Sequence, residues 1–195
     1  MMLKVGVTGG IGSGKTLVCK IFEKLAVPVF YADVEAAIII HKSTIAKEKL
    51  IAEFGNALYV NGLLNKPKMR QLIFNNDANL IKVNNIVHPL VKEQFLKFVE
   101  LNHSSKYVIQ EAAILFETGA NKTKDKVITI TAPEHVRLQR ILSREGMSVE
   151  IVEKIMQKQM PEEQKAAMSD YVIENCGERL LINQVIEIHN KLKEL

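Results

Sequence analysis

Eight residues near the N-terminus, Gly9-Gly10-Ile11-Gly12-Ser13-Gly14-Lys15-Thr16, combine a pliable backbone, one cation and one hydroxyl at the spacing G-x-x-x-x-G-K-[ST]. Glycines let a loop curl and aim successive N–H groups at anionic oxygens. A helix starting at the end of the loop adds its positive N-terminal end. In such a loop Gly10, Ile11, Gly12, Ser13 and Gly14 surround a phosphate, Lys15 reaches the β- and γ-phosphates, and Thr16 puts its hydroxyl on Mg²⁺. Asp33 is a second candidate: its carboxylate suits accepting the proton of an attacking hydroxyl or holding Mg²⁺ through water, and equally suits capping a helix from Val34. Arg140 and Arg144, four apart, share one helix face, with Arg137 a turn before. Guanidinium forks stabilise the charge that spreads over a phosphoryl group in transfer; a solvated basic face is the plainer alternative.

These residues need a frame. Apolar runs rich in Val and Ile predict strands over Leu3–Thr8, Val27–Tyr31, Tyr107–Ala113, Lys126–Thr131 and Tyr171–Glu174. They show little alternation with polar residues, as expected of a parallel sheet covered on both faces. Helical patterns separate them, so the chain reads as α/β, a five-stranded parallel sheet flanked by helices. The phosphate loop and Asp33 then follow strand ends at the edge where such sheets bind ligands.

About seventy-five residues separate the second strand from the third, far more than one crossover helix needs. Patterns near Val34–Lys42, Ile45–Phe54, Pro67–Phe74 and Pro89–Leu101 predict helices there, with a turn at Asn61-Gly62. This stretch reads as a helical cap for a second substrate or as structural elaboration. Thr131, Pro133 and Glu134 predict the capped start of a helix running through Arg144 to Gly146. Further helices are predicted from Ser148, from Pro161, and over Glu178–Leu195, where Leu181, Val185, Ile188 and Leu192 recur at helical spacing.

The chain has 195 residues, 47% hydrophobic and 25% charged, with net charge +4. This suits one domain able to carry an inserted subdomain. The charge is not gathered into a basic block, so neither nucleic acid nor a membrane surface is expected as a partner. Cys19 and Cys176 form no C-x-x-C, which fits a reducing cytoplasm, and Cys19 reads as core. The longest aliphatic run, Ala36–Ile40, is too short to span a bilayer, and Met1–Val7 lacks a leader's apolar region. A guanine-specific N-K-x-D is absent: Asn121-Lys122-Thr123-Lys124-Asp125 puts its acid one residue late. Lysine at position 15 also breaks the dinucleotide-binding G-x-G-x-x-G.

In order, the motifs resemble those of the dephospho-CoA kinase family over nearly the whole chain. Val7 to Lys15 is similar to the family's opening almost letter for letter, and Tyr31-Ala32-Asp33 stands where Asp-x-Asp is common. Phe54-Gly55, Gly62-Leu63-Leu64, Ile73-Phe74 and His88-Pro89 resemble its insertion. Ile114-Leu115-Phe116-Glu117, Gln139-Arg140 with Arg144, and Asp170-Tyr171-Val172-Ile173 with Asn175 and Gly177 resemble its later motifs. The resemblance implies a P-loop kinase fold in a single domain, 1–195, with a helical acceptor insertion over 34–105 and a lid over 134–168. It implies ATP and Mg²⁺ as cofactors and dephospho-CoA as acceptor, phosphorylated on the ribose 3′-hydroxyl, in a cytoplasmic enzyme expected to be monomeric. Asp33 would be the general base; Lys15 and Thr16 would hold phosphates and Mg²⁺; Arg140 and Arg144 would act from the lid. Asn175 would lie near the adenine, and Thr8 and His88 would face the acceptor, though His88 before Pro89 reads equally as a helix start.

There are departures from the family pattern. Tyr31 replaces the first acid of Asp-x-Asp, Ala113 a proline, Lys66 an arginine, and Glu111 an aspartate. Another nucleoside or nucleotide kinase and a non-catalytic ATP-binding protein remain the alternative readings.

Overall fold

The computed structural model describes residues 2–74, 76–143, 148–177 and 179–195. The chain divides into two compact units, residues 1–31 with 99–195, and residues 32–98.

The first unit is built on a parallel sheet of five strands: β1 (Leu3–Thr8), β2 (Val29–Tyr31), β5 (Tyr107–Glu111), β6 (Lys126–Thr131) and β7 (Tyr171–Glu174), in the order β2-β5-β1-β6-β7. The numbers β3 and β4 fall to a hairpin in the second unit. The register sets Val7 beside Glu111 and Ile128, and Tyr31 beside Glu111, so the strand ends that carry the site line one edge. The strand expected from Val27 starts at Val29: the Val27 N–H donates back to the Phe22 carbonyl in the turn out of α1 (Lys15–Lys24), while the Pro28 carbonyl accepts from Ile109.

Both faces of this sheet are covered, as expected, but one of them mixes several polar positions with its apolar ones. Val5, Val7, Ile109, Ile128, Ile130 and Ile173 pack with Val18, Cys19 and Phe22 of α1 and with Val185, Ile188 and Leu192 of α9 (Leu181–Glu194). The alternate positions, the polar Thr8, Gln110 and Thr129 together with Gly6 and the buried Val108 and Val127, point the other way. There Thr129 bonds Ser169 Oγ at 2.6 Å and donates to the Lys165 carbonyl of α8 (Glu162–Ala167). Cys19 is fully buried, as expected, and burial, reinforced by Glu111 and Glu23, pushes its thiol pKa far up.

Two arms complete this unit, α6 (Glu134–Leu142) and α7 (Val149–Gln157). Thr131 does not cap α6: it ends β6 in register with Glu174, Pro133 precedes the helix, and no side chain caps it. The expected continuation through Arg144 to Gly146 lies outside the described residues. The C-terminal helix begins at Leu181, after the non-helical Arg179 and Leu180; Glu178, its expected start, lies outside the described residues.

The second unit contains α2 (Ala32–Lys42), α3 (Thr44–Phe54), the hairpin β3 (Tyr59–Val60) and β4 (Leu63–Leu64), α4 (Lys66–Phe74) and most of α5 (Asp77–Leu101). Ser43 caps α3 by accepting from Ala46 N. Asn61 and Gly62, at φ 50° and 82°, make the expected hairpin turn. The Tyr59 hydroxyl ties that hairpin to α2, donating to the Ile40 carbonyl at 2.7 Å. The helix expected to begin at Pro89 instead runs through it from Asp77. Proline forfeits one ladder bond, and Val83, Val87, Val91 and Phe95 bury one continuous stripe across it that holds the helix together.

Candidate active site

Residues 9–14 link β1 to α1. The loop closes on itself through Ser13 N–H to the Gly10 carbonyl at 3.1 Å. Gly12 and Gly14 sit at φ 82° and 97°, a region that disfavours side chains. Space excludes them as well: a Cβ on Gly12 would meet the Arg137 carbonyl at 2.6 Å, and one on Gly14 would collide with Asn175 Nδ2. Lys15 opens α1, its ammonium donating to the Gly9 and Gly10 carbonyls at 3.0 and 3.2 Å. Thr16 follows it, exposed in the first turn.

The far wall comes from α6 and from the end of β7. Asn175 donates from Nδ2 to the Ser13 carbonyl at 2.8 Å, while its backbone N–H holds the Thr131 carbonyl. Arg140 donates to the Asn175 carbonyl at 3.0 Å and lies 3.5 Å from the Gly12 carbonyl. Thus Arg140, Asn175 and the loop, expected to act together, stand together. Arg144, expected beside them, lies outside the described residues. Thr8 is fully buried, its hydroxyl donating to the Ala113 carbonyl at 3.4 Å.

Side chains that motif spacing did not single out complete this side. Glu162 accepts from Gly10 N–H at 3.0 Å and Ala132 N–H at 3.1 Å, with the Arg137 guanidinium at 3.5 Å. Gln159 accepts from Ile11 N–H at 2.9 Å. Lys165, fully buried, pairs with Glu117 at 2.8 Å and donates to the Ala113 carbonyl. Only Glu117 had any signal, within the Ile-Leu-Phe-Glu resemblance. A cleft of about 500 Å³ opens beside Gly10, between Arg137, Met156 and Met160. Among the described residues, the buried Ser13 Oγ and Arg137 Nε have no hydrogen-bond partner. Orphaned polar groups at a glycine loop fit a cradle made for a polyanion.

Glu111, near the expected position for an acid, is buried beside Cys19 and Tyr31. Burial, with Cys19, Glu23 and Glu111 nearby, drives the Tyr31 hydroxyl pKa well up, so the residue replacing the first acid stays a neutral phenol.

In the second unit, Asp33 lies exposed in the first turn of α2. That helix begins at Ala32 rather than Val34, so Asp33 is inside it and does not cap it. His88 is half-buried within α5, not at a helix start. Burial lowers its pKa, and the Asp33 carboxylate offsets part of that effect. The two candidate acceptor-side groups therefore share an electrostatic environment.

A five-stranded parallel sheet with a phosphate loop after its central strand, flanked by helices, defines a P-loop kinase scaffold. A family model described as dephospho-CoA kinase matches residues 3–180. A dephospho-CoA kinase of Porphyromonas gingivalis is 37% identical over 188 residues, covering 96% of this chain and 93% of that protein. One from Bacteroides fragilis is 32% identical, covering 96% and 92%. The solved dephospho-CoA kinase of Campylobacter jejuni shares the fold with a TM-score of 0.72, covering 100% of this chain and 98% of that one. The chain belongs to the dephospho-CoA kinase family.

Proposed function

We propose that this protein transfers the γ-phosphoryl group of ATP to the ribose 3′-hydroxyl of dephospho-CoA, giving coenzyme A and ADP. The observation that carries this reading is the phosphate loop clipped by Arg140 and Asn175, in a chain of this family. Asp33 takes the hydroxyl proton as the ribose oxygen bonds to the γ-phosphorus. The bond from that phosphorus to the β–γ bridging oxygen breaks, and ADP leaves with the electron pair. Lys15 and Arg140 stabilise the charge spread over the transferred group. The loop from Gly10 to Gly14 surrounds the phosphates, its first turn held by Glu162 and Gln159, with Asn175 near the adenine. Thr8 and His88 serve the acceptor.

Thr16 fits a Mg²⁺ ligand. Its hydroxyl is exposed one residue after Lys15, and among the described residues no cluster of three metal-ligating side chains offers a protein-only cage. Held by Thr16 and phosphate oxygens, the ion would supply neutralising charge to the β- and γ-phosphates. No described helix is long and apolar enough to cross a membrane. The reading places the enzyme in the cytoplasm, acting as a monomer without nucleic acid or membrane.

The test is ADP release from Mg-ATP with and without dephospho-CoA, with product mass checked for one added phosphate. Acceptor-dependent ADP and a product of coenzyme A mass are expected. ADP without that product sinks the acceptor assignment. Asp33→Asn should keep ATP affinity and lose turnover about 10²–10⁴-fold, the range of a general base; near-normal turnover refutes its role.

A further inference from the structure

The first turn of the phosphate loop does not stand by itself. Two of its backbone N–H groups, Gly10 and Ile11, are spent on side chains, Glu162 at the start of α8 and Gln159 between α7 and α8. Glu162 is buried, and both its oxygens are engaged: Oε1 with Gly10 N–H and Arg137, Oε2 with Ala132 N–H after β6. This one carboxylate therefore joins the loop, a sheet strand and α6. Helix α6 carries Arg140 three residues after Arg137, on a neighbouring part of the same surface. The Arg137 carbonyl also stands where any side chain at Gly12 would go, so the helix lies directly on the loop.

A carboxylate taken from water and placed among three donors is favourable only while all three stay aimed at it. Moving α6 outward breaks the Arg137 contact; deforming the loop breaks the Gly10 contact. The spacing between the loop and Arg140 is thus set through Glu162, with Gln159 fixing the adjoining peptide.

We propose that Glu162, supported by Gln159, is a positioning residue for phosphoryl transfer, bracing the first turn of the loop against the arginine-bearing helix so that Arg140 meets the transferred group in register. This rests on the kinase reading above. Glu162 itself touches neither substrate nor the reacting atoms.

The chemistry of substitution is distinctive. Glu162→Gln keeps size but has one acceptor oxygen; its NH₂ must face a backbone N–H or the guanidinium. Ile11 N–H asks only for an acceptor, so Gln159→Leu removes what Gln159→Glu retains. The experiment measures kcat, KM for ATP, ATP affinity and thermal midpoint in Glu162→Gln, Gln159→Leu, Gln159→Glu and the exposed control Glu194→Gln, each in the full chain.

With loop and helix misplaced by a fraction of an ångström to one ångström, kcat should fall about 100-fold in Glu162→Gln. ATP affinity should change less than about threefold, and Glu194→Gln should match the parent. Added to Arg140→Ala, Glu162→Gln should cost less than about threefold further, because residues acting through one another are not additive. Gln159→Leu should lose about fivefold, and Gln159→Glu should recover most of it.

A kcat within threefold of the parent in Glu162→Gln overturns the proposal. So does an equal loss with and without Arg140, which would mark a general structural role. If Glu162→Gln does not fold, the Gln159 pair decides: recovery by Glu supports the brace, and parent-like Leu refutes it. A parent that makes no coenzyme A defeats the kinase reading alone. The brace is then judged by the Gly10 and Ile11 amide proton resonances, which move upfield in Glu162→Gln and Gln159→Leu respectively if the contacts exist and stay in place if they do not.

Discussion

On one side of the sheet Val5, Val7, Ile109, Ile128 and Ile130 pack into an apolar cluster with α1 and α9, whereas on the other the buried Val108 and Val127 share the face with Thr8 and Thr129, which look toward Lys165, Ser169 and the Ala113 carbonyl. The first face is held by area removed from water, which is strong and indifferent to direction. The second buries Val108, Val127 and Leu115 as well, and adds directed bonds that tie segments together at fixed distances. Both faces thus bury apolar area, while the directed bonds between segments are concentrated on one of them. The face using hydrogen bonds is the one beside the segment that braces the loop.

The sharpest test of this division is Phe22→Ala. Phe22 is fully buried against Tyr107 in an edge-to-face contact with ring centroids 6.5 Å apart. Truncation should cost about 3–5 kcal/mol in urea unfolding, while the molecules still folded keep normal turnover. A large fall in turnover per folded molecule would mean that the apolar face also sets the geometry of the site.

On the polar face, Glu117→Gln leaves Lys165 buried without its carboxylate. The loss should be about 2–3 kcal/mol, below the full cost of breaking a buried pair because Ala113 O still accepts and Glu117 is partly exposed. Lys165→Met removes the buried charge itself and should cost less than Glu117→Gln. Both should reduce turnover. Equal stability losses would show that the pair is not desolvated as its burial suggests.

The smallest effect concerns pH. His189 accepts from or donates to the Tyr107 hydroxyl at 2.8 Å, and burial, with Lys193 nearby, holds its pKa below the ordinary 6.5. The unfolded chain therefore binds more protons than the folded one just below pH 6.5, and stability rises with pH there. The apolar face should weaken as pH falls from 7.5 through 6.5 toward the folded pKa, and His189→Gln should flatten that slope. His88 shifts in the same direction, so a residual slope in His189→Gln that vanishes in the double variant assigns the remainder. No change of slope in either variant breaks the linkage.

Much of this was legible in the residues. The phosphate loop follows from local spacing, since its glycines, lysine and threonine act within one turn of chain. The central strands and the stripe of α9 follow from periodicity. Pro89 and Thr131 misled for opposite reasons: a buried apolar stripe overrode the helix-breaking residue, and strand pairing claimed the residue suited to capping. Glu162 and Gln159 had no readable signal. They meet the loop from about 150 positions away, and a glutamate after a proline looks like any first-turn acid. The tie from Asn175 to Ser13 was beyond local reading too, although resemblance had marked Asn175.

That tie has a consequence for ion selectivity. A peptide unit is planar, with N–H and C=O on opposite sides, so fixing the Ser13 carbonyl on Asn175 also fixes the direction of the Gly14 N–H. Glycine at position 14 tolerates either sense of that plane, and a peptide flip there would present an oxygen where a hydrogen should be. A cradle flipped at this unit would attract a cation and repel a triphosphate. The amide of Asn175, donated from the far end of the sheet, sets the polarity of the nest and so decides which sign of charge it admits.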